Sequence, residues 1–194
     1  MNKIFLILAV IIGIFFLSQI IMSFQSDKIE TPNYTVLKKY DEFEIRQYDS
    51  MIIAQTILPS SSYEASSSMG FRRVASYIFG GNEKKESISM TAPVFMEMGE
   101  NTKMAFVMPK NYKLEELPKP NSGNVQLIVI TPKKYAVIKF SGFASDEKIS
   151  VKSRQLEVLI SREKLIKNGA FQYLGYNPPW RIIGRKNEIA VEIN

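Results

Sequence analysis

YAVIKFSGFASDEKISVKSRQLEVLISREKLIKNGAFQYLGY, residues 135–176, holds a strand, a helix and a second strand in one run. Ser145 stands where an N-cap is needed. Asp146 and Glu147 suit the positive end of a helix, and Lys164 and Lys167 suit its negative end. Gly169 is a stop. These signals predict a helix from about Asp146 to Lys167. Ser150, Ser153, Arg154, Glu157, Ser161 and Lys164 form one polar strip on its wheel. Ile149, Val151, Leu156, Val158, Leu159, Ile160, Leu165 and Ile166 fill much of the remainder, so the helix should bury a wide face against a sheet. Tyr135 to Phe140 and Phe171 to Tyr176 are short apolar runs that read as strands.

Working outward, the same order of elements occurs upstream. Tyr34-Val36-Lys38 and Phe43-Ile45-Gln47 alternate about a Tyr40-Asp41-Glu42 turn, a hairpin signal. Met51 to Leu58 is a third strand. Ser61 and Glu64 have capping-box spacing and open a helix from about Ser62 to Phe79, stopped by Gly80-Gly81. Ile88 to Met98 and Lys103 to Met108 read as strands, and the proline-rich Pro109 to Gly123 as a loop. Val125 to Thr131 should form a hairpin with Tyr135 to Phe140 about Pro132-Lys133-Lys134. Arg181 to Gly184 and Glu188 to Ile193 should close the chain as a pair about Arg185-Lys186-Asn187. The fold class is therefore α+β: a twisted antiparallel β-sheet or open barrel with two helices and a pseudo-twofold βαββ-type repeat. The repeat lies in the order of elements, not in residue identity.

The chain has 194 residues, a formal charge of +6, no histidine and no cysteine. Those absences remove the commonest general base, metal ligand and nucleophile–base pair. No G-x-S-x-G, phosphate loop, H-E-x-x-H or carboxylate pair is visible, so the chain reads as a binder and not an enzyme. The positive charge favours an anionic partner. Nucleic acid is disfavoured, because Lys and Arg are scattered as singles and pairs with no aromatic interleaving. Met96-x-Met98 with Met104 and Met108 offers thioethers to Cu(I), but adaptable core filling is the better reading, so no metal site is assigned.

Two further stretches carry a family resemblance. The first is Arg73-Val74-Ala75-Ser76-Tyr77-Ile78-Phe79-Gly80-Gly81-Asn82-Glu83-Lys84 with Ile88-Ser89-Met90-Thr91-Ala92-Pro93-Val94. The second is Gly175-Tyr176-Asn177-Pro178-Pro179-Trp180 with Gly184-Arg185-Lys186-Asn187-Glu188-Ile189. With Tyr34 to Tyr40 and Glu44-Ile45-Arg46, they resemble the SOUL haem-binding protein family over residues 34–194. The resemblance implies a twisted barrel with two flanking helices, related to bacterial multidrug-sensing ligand domains. It also implies non-catalytic binding of haem or another tetrapyrrole in an apolar groove beside the first helix.

Candidate cofactor-binding residues follow from that groove. Met69 and Phe71 would form an apolar plate. Arg72 and Arg73 would take propionates in charge-assisted pairs, Tyr77 lies further along the helix, and Arg185 would supply a second basic edge. Any haem would be non-covalent and without a histidine ligand, leaving Met, Tyr or Lys, or none. Another amphipathic anionic small molecule is the rival ligand, and a membrane-tethered protein-interaction scaffold the rival role. The M-T-A-P-V and N-P-P-W blocks read as structural, with Trp180 anchoring its loop by burial.

Ile4 to Phe24 is almost unbroken apolar sequence of membrane-spanning length. It bears no charge and no small-x-small cleavage site, so residues 1–25 are expected to form a transmembrane signal anchor. Residues 26–33 would be a linker to the 34–194 domain. Lys3 before the span places the domain on the extracytoplasmic, periplasmic side; cleavage and secretion is the alternative.

Overall fold

The computed structural model describes residue 3 and residues 5–14, 29–99 and 101–194. The body is built in the order β1 (Tyr34–Lys39), β2 (Phe43–Tyr48), β3 (Met51–Ile57), α1 (Tyr63–Ile78), β4 (Val94–Glu97), β5 (Lys103–Val107), β6 (Gln126–Ile130), β7 (Lys133–Ser141), α2 (Asp146–Arg162), β8 (Lys167–Gly175) and β9 (Lys186–Ile193). All nine strands join one antiparallel sheet in the order β1-β2-β7-β9-β8-β4-β5-β3-β6. The units β3-α1-β4-β5 and β7-α2-β8-β9 are paired alike, each with its last strand between the other two.

The expected hairpin between β6 and β7 does not form. Tyr48 pairs with Lys133 and Met51 with Ile130, so both chains advance three residues with no change of register. β2–β3 and β6–β7 are thus two long bent strands running side by side, and Pro132 marks a bend instead of a reversal. This ribbon forces the sheet to curl. Six neighbour steps separate β7 from β6 in the sheet order, about 29 Å if flat. Three residues of chain span only about 10 Å.

The curl gives the sheet an outer and an inner face. Ala54, Met104, Phe106, Met96, Ile138, Tyr173, Ile189 and Val191 join buried residues of α1 and α2 in the main core. Tyr48, Tyr135, Val137, Leu174 and Ala190, and separately Ile53, Ala105 and Val107, cluster on the inner face. α1 presses hard on the sheet at Gly70, where an added Cβ would stand 2.9 Å from Leu58 Cδ1 and 3.0 Å from Met104 Sδ. No room is left beneath the helix there. The methionines considered for Cu(I) fill this core: Met96, Met104 and Met108 are buried in it and Met98 packs against it.

Several boundaries shift for identifiable reasons. Ser62, not Ser61, caps α1, accepting the Ala65 N–H at 3.1 Å. Asp146 at the start of α2 reaches across and accepts from the Ser62 hydroxyl (2.6 Å) and the Tyr63 N–H (2.6 Å). One carboxylate therefore ties both helix N-termini together. α2 stops at Arg162 because Lys164 adopts a left-handed φ of 57°. Its buried stripe is Ile149, Leu156 and Ile160, narrower than expected, and Val151 and Val158 are exposed. Arg181 to Gly184 is loop and not strand: the Arg181 N–H turns back to the Pro178 carbonyl, and Gly184 takes a φ of 66°. β9 pairs instead with β7 and β8. Trp180 is 63% exposed, so burial does not anchor its loop.

The membrane anchor is not supported. Residues 5–14 are helical and exposed. Among the described residues no helix is long and apolar enough to cross a membrane. Residue 4 and residues 15–24 of the expected span lie outside the described residues. The expected single-pass, extracytoplasmic placement is therefore not supported. Glu30 and Asn33, assigned to a linker, are bonded onto the body: the Ala92 N–H donates to the Glu30 carbonyl and the Asp49 N–H to that of Asn33.

Candidate functional site

The sequence directs attention to α1, and the structure divides its candidate residues among three sides. Successive helical residues rotate by about 100°, so Met69 and Phe71 lie about 200° apart and cannot share one plate. Phe71 projects on one flank, its ring 5.3 Å from that of Phe106 on β5. Met69 and Arg73, four apart, share the other flank, with Arg72 at the crest three positions from Met69. Arg73 Nη1 donates to the Ile57 carbonyl at 2.9 Å. That bond is to the Ile57 backbone; the Ile57 side chain falls in step with Ile53 and Gln55 and pairs with Lys103, on the opposite, inner face of the sheet. Met69 is half-buried against the core, and Arg72 is exposed. The result is a small apolar patch at Met69 bordered by two guanidinium groups. Sequence reasoning missed the Arg73 bond to the β3 backbone, which depends on β3 passing beside α1.

Tyr77 and Arg185 face elsewhere. Tyr77 is buried beneath α1 and donates to the Pro118 carbonyl at 3.0 Å; burial, with the Glu86 charge nearby, pushes its hydroxyl up to about 12. Arg185 is buried within the 177–186 loop. Its Nη1 donates to the carbonyls of Arg181 (2.7 Å) and Pro178 (3.0 Å), and its guanidinium lies 4.6 Å from the centre of the Phe143 ring.

Residues of the motif blocks hold turns and strands in place. Asn82 is fully buried and clasps the turn after α1, donating to the Tyr77 and Glu86 carbonyls and accepting the Glu86 N–H. The Thr91 hydroxyl donates to the Val107 carbonyl at 2.7 Å, pinning the M-T-A-P-V segment to β5. Asn187 accepts from the Tyr173 hydroxyl and donates to the Gly142 carbonyl.

Glu188 enters a network on the inner face that the sequence did not announce. Arg46 donates to both Glu188 oxygens, at 2.9 and 3.1 Å, and to Glu44 Oε2 at 2.8 and 2.9 Å. The Tyr176 hydroxyl donates to Glu188 Oε2 at 2.7 Å. The Arg46 and Glu188 side chains are wholly buried. Burial works against the Arg46 charge, but the Glu188 carboxylate outweighs it and holds the guanidinium above its usual range. Burial pushes the Tyr48 hydroxyl up to about 12, despite the nearby Arg46 charge. Burial and the Glu188 charge raise that of Tyr176 further. This cluster has satisfied partners on every side and reads as structural.

A family model described as SOUL heme-binding protein matches residues 29–192. The human protein named Heme-binding protein 2 is 27% identical over 174 residues, covering 83% of this chain and 84% of its own. The mouse protein of the same name is 25% identical over 177 residues, covering 85% and 86%. Among solved structures, the EcmrR C-terminal domain superposes with a TM-score of 0.60 at 13% identity, covering 83% of this chain and 98% of that domain. That last likeness is one of fold.

Proposed function

Because the chain belongs to the SOUL heme-binding protein family, matched over residues 29–192, we propose that it binds haem or a related tetrapyrrole without catalysing a reaction on it. The observation that carries the reading is the family match itself, joined to a surface on α1 with the right chemistry. The macrocycle would rest against Met69 on one flank of the helix. Arg72 and Arg73 pair with its propionates. With no histidine in the chain, any protein ligand to the iron would have to come from a residue such as Met69, through its thioether. Binding is then carried by apolar contact and charge-assisted pairs, each worth about 1.5–3 kcal/mol. Phe71 lies on the opposite flank and is not part of this site.

Haem titrated into the protein should shift and sharpen the Soret band and saturate near one equivalent. Replacing Arg72 and Arg73 together by Ala should weaken binding about ten-fold or more. Met69→Ala should move the band if the thioether ligates iron. A free-haem spectrum at micromolar protein would remove the proposal.

A further inference from the structure

We propose that the inner face of the curled sheet holds a second ligand site, for a small uncharged ring compound with a hydrogen-bonding edge. A cavity of about 200 Å³ opens there, with a floor of Met51, Ile53, Phe95, Ala105, Ile130 and Tyr135. The floor draws on β3, β4, β5, β6 and β7, so only the curl assembles it. It lies on the opposite face of the sheet from α1 and is independent of the tetrapyrrole reading.

Size fixes the first property of the occupant. An apolar cavity of about 150 Å³ is enough to hold benzene, so one ring, or two fused rings, fits this cavity and a tetrapyrrole does not. Charge fixes the second. Lys103 Nζ stands 2.8 Å from Glu97 Oε1, and Lys133 Nζ 2.7 Å from Glu192 Oε2, all four side chains among the cavity residues. The cations and anions at the mouth already neutralise each other pairwise, so a charged ligand must first separate a pair, whereas a neutral one enters without disturbing either. Polarity fixes the third. Gln55 and Gln172 also line the cavity; Gln172 already donates to Glu97 Oε2 at 3.5 Å, so the Gln55 amide is the main donor and acceptor for a ring N–H or hydroxyl. The other βαββ unit supplies the contrast. There the inner face is filled by the Arg46–Glu188–Tyr176 network, while here Ala105 and Met51 sit among Ile53, Phe95, Ile130 and Tyr135 and leave space open.

The test uses the full-length chain carrying 13C-methyl methionine, with indole as the probe. Indole should shift the Met51 methyl saturably and leave the Met69 methyl in place. Ala105→Leu, which fills the floor, should weaken the response at least ten-fold. Ile130→Phe fills the same space from another strand and serves if Ala105→Leu fails to fold. Benzoate and benzylamine, one ring with a negative or positive charge, should bind at least ten-fold more weakly than indole. The proposal fails if Met51 does not respond, if Met69 shifts in parallel, or if both filled variants bind indole unchanged. Equal binding of a charged probe overturns the assignment of an uncharged ligand.

Discussion

The outer flank of α1 and the inner face of the sheet are both apolar surfaces edged with cations, yet they suit opposite ligands. On α1 the arginines stand beside the Met69 patch, with no carboxylate bonded to them among the described residues. Inside the sheet each lysine at the cavity mouth already holds a glutamate, and the walls enclose only about 200 Å³. The first suits a wide dianionic plate and the second a small neutral ring. The difference teaches that ligand class is set by how charges are paired and how far the surface is enclosed, not by how many basic residues are present.

The strongest way to break the comparison is to damage the inner face at its ionic end. Glu188→Leu leaves the buried Arg46 short of its main partner and should cost about 3–5 kcal/mol in urea unfolding. Adding Arg46→Met should restore part of that loss, because an uncompensated charge is worse than none. Next comes alkaline pH. Burial pushes the Tyr48 and Tyr135 hydroxyls up to about 12, against about 10 unfolded. Their contribution is therefore full below pH 10 and is lost as pH rises through about 12, on the order of 2 kcal/mol each. Phenolate absorbance followed together with circular dichroism should show these inner tyrosines ionising only as the fold melts.

A smaller effect sharpens the comparison from the α1 side. Burial works to raise the Asp146 carboxyl, but bonds from the Ser62 hydroxyl and the Tyr63 and Glu64 N–H groups outweigh it and hold it below its usual range. That contribution is full above about pH 4, the unfolded value, and is lost as pH falls through the lower folded value. Asp146→Ala should cost about 1–2 kcal/mol. It should speed amide exchange at residues 63–66 while the inner strands keep their protection. The smallest change is Lys103→Met, which removes a half-exposed ion pair and should alter stability by no more than about 0.5 kcal/mol.

Much of the fold was legible because its signals are local. The β1–β2 hairpin, both helix starts to within a residue, and the βαββ order follow from caps, glycine stops and period-two runs. What was not legible depends on partners distant in sequence. Pro132 reads as a turn until the register of β2–β3 against β6–β7 shows an unbroken ribbon. Arg46 and Glu188 are 142 positions apart, and Ser62 and Asp146 are 84 apart. Nothing in either neighbourhood announces the other. In the candidate site, Met69, Arg72 and Arg73 were nameable from sequence. Phe71 was grouped with them although positions two apart cannot share a helix face. Trp180 drew attention by its size, but its exposure is set by the Pro178–Gly184 loop, which sequence pattern could not place.

The proposed haem site lies on the outer flank of α1 and not inside the sheet. The direct test is a Soret titration comparing the parent chain, the Arg72→Ala/Arg73→Ala variant and Ala105→Leu. The account predicts tight binding to the parent, about ten-fold or greater weakening in the double-arginine variant, and no change in Ala105→Leu. Binding that survives loss of both arginines but disappears on filling the inner cavity would contradict it.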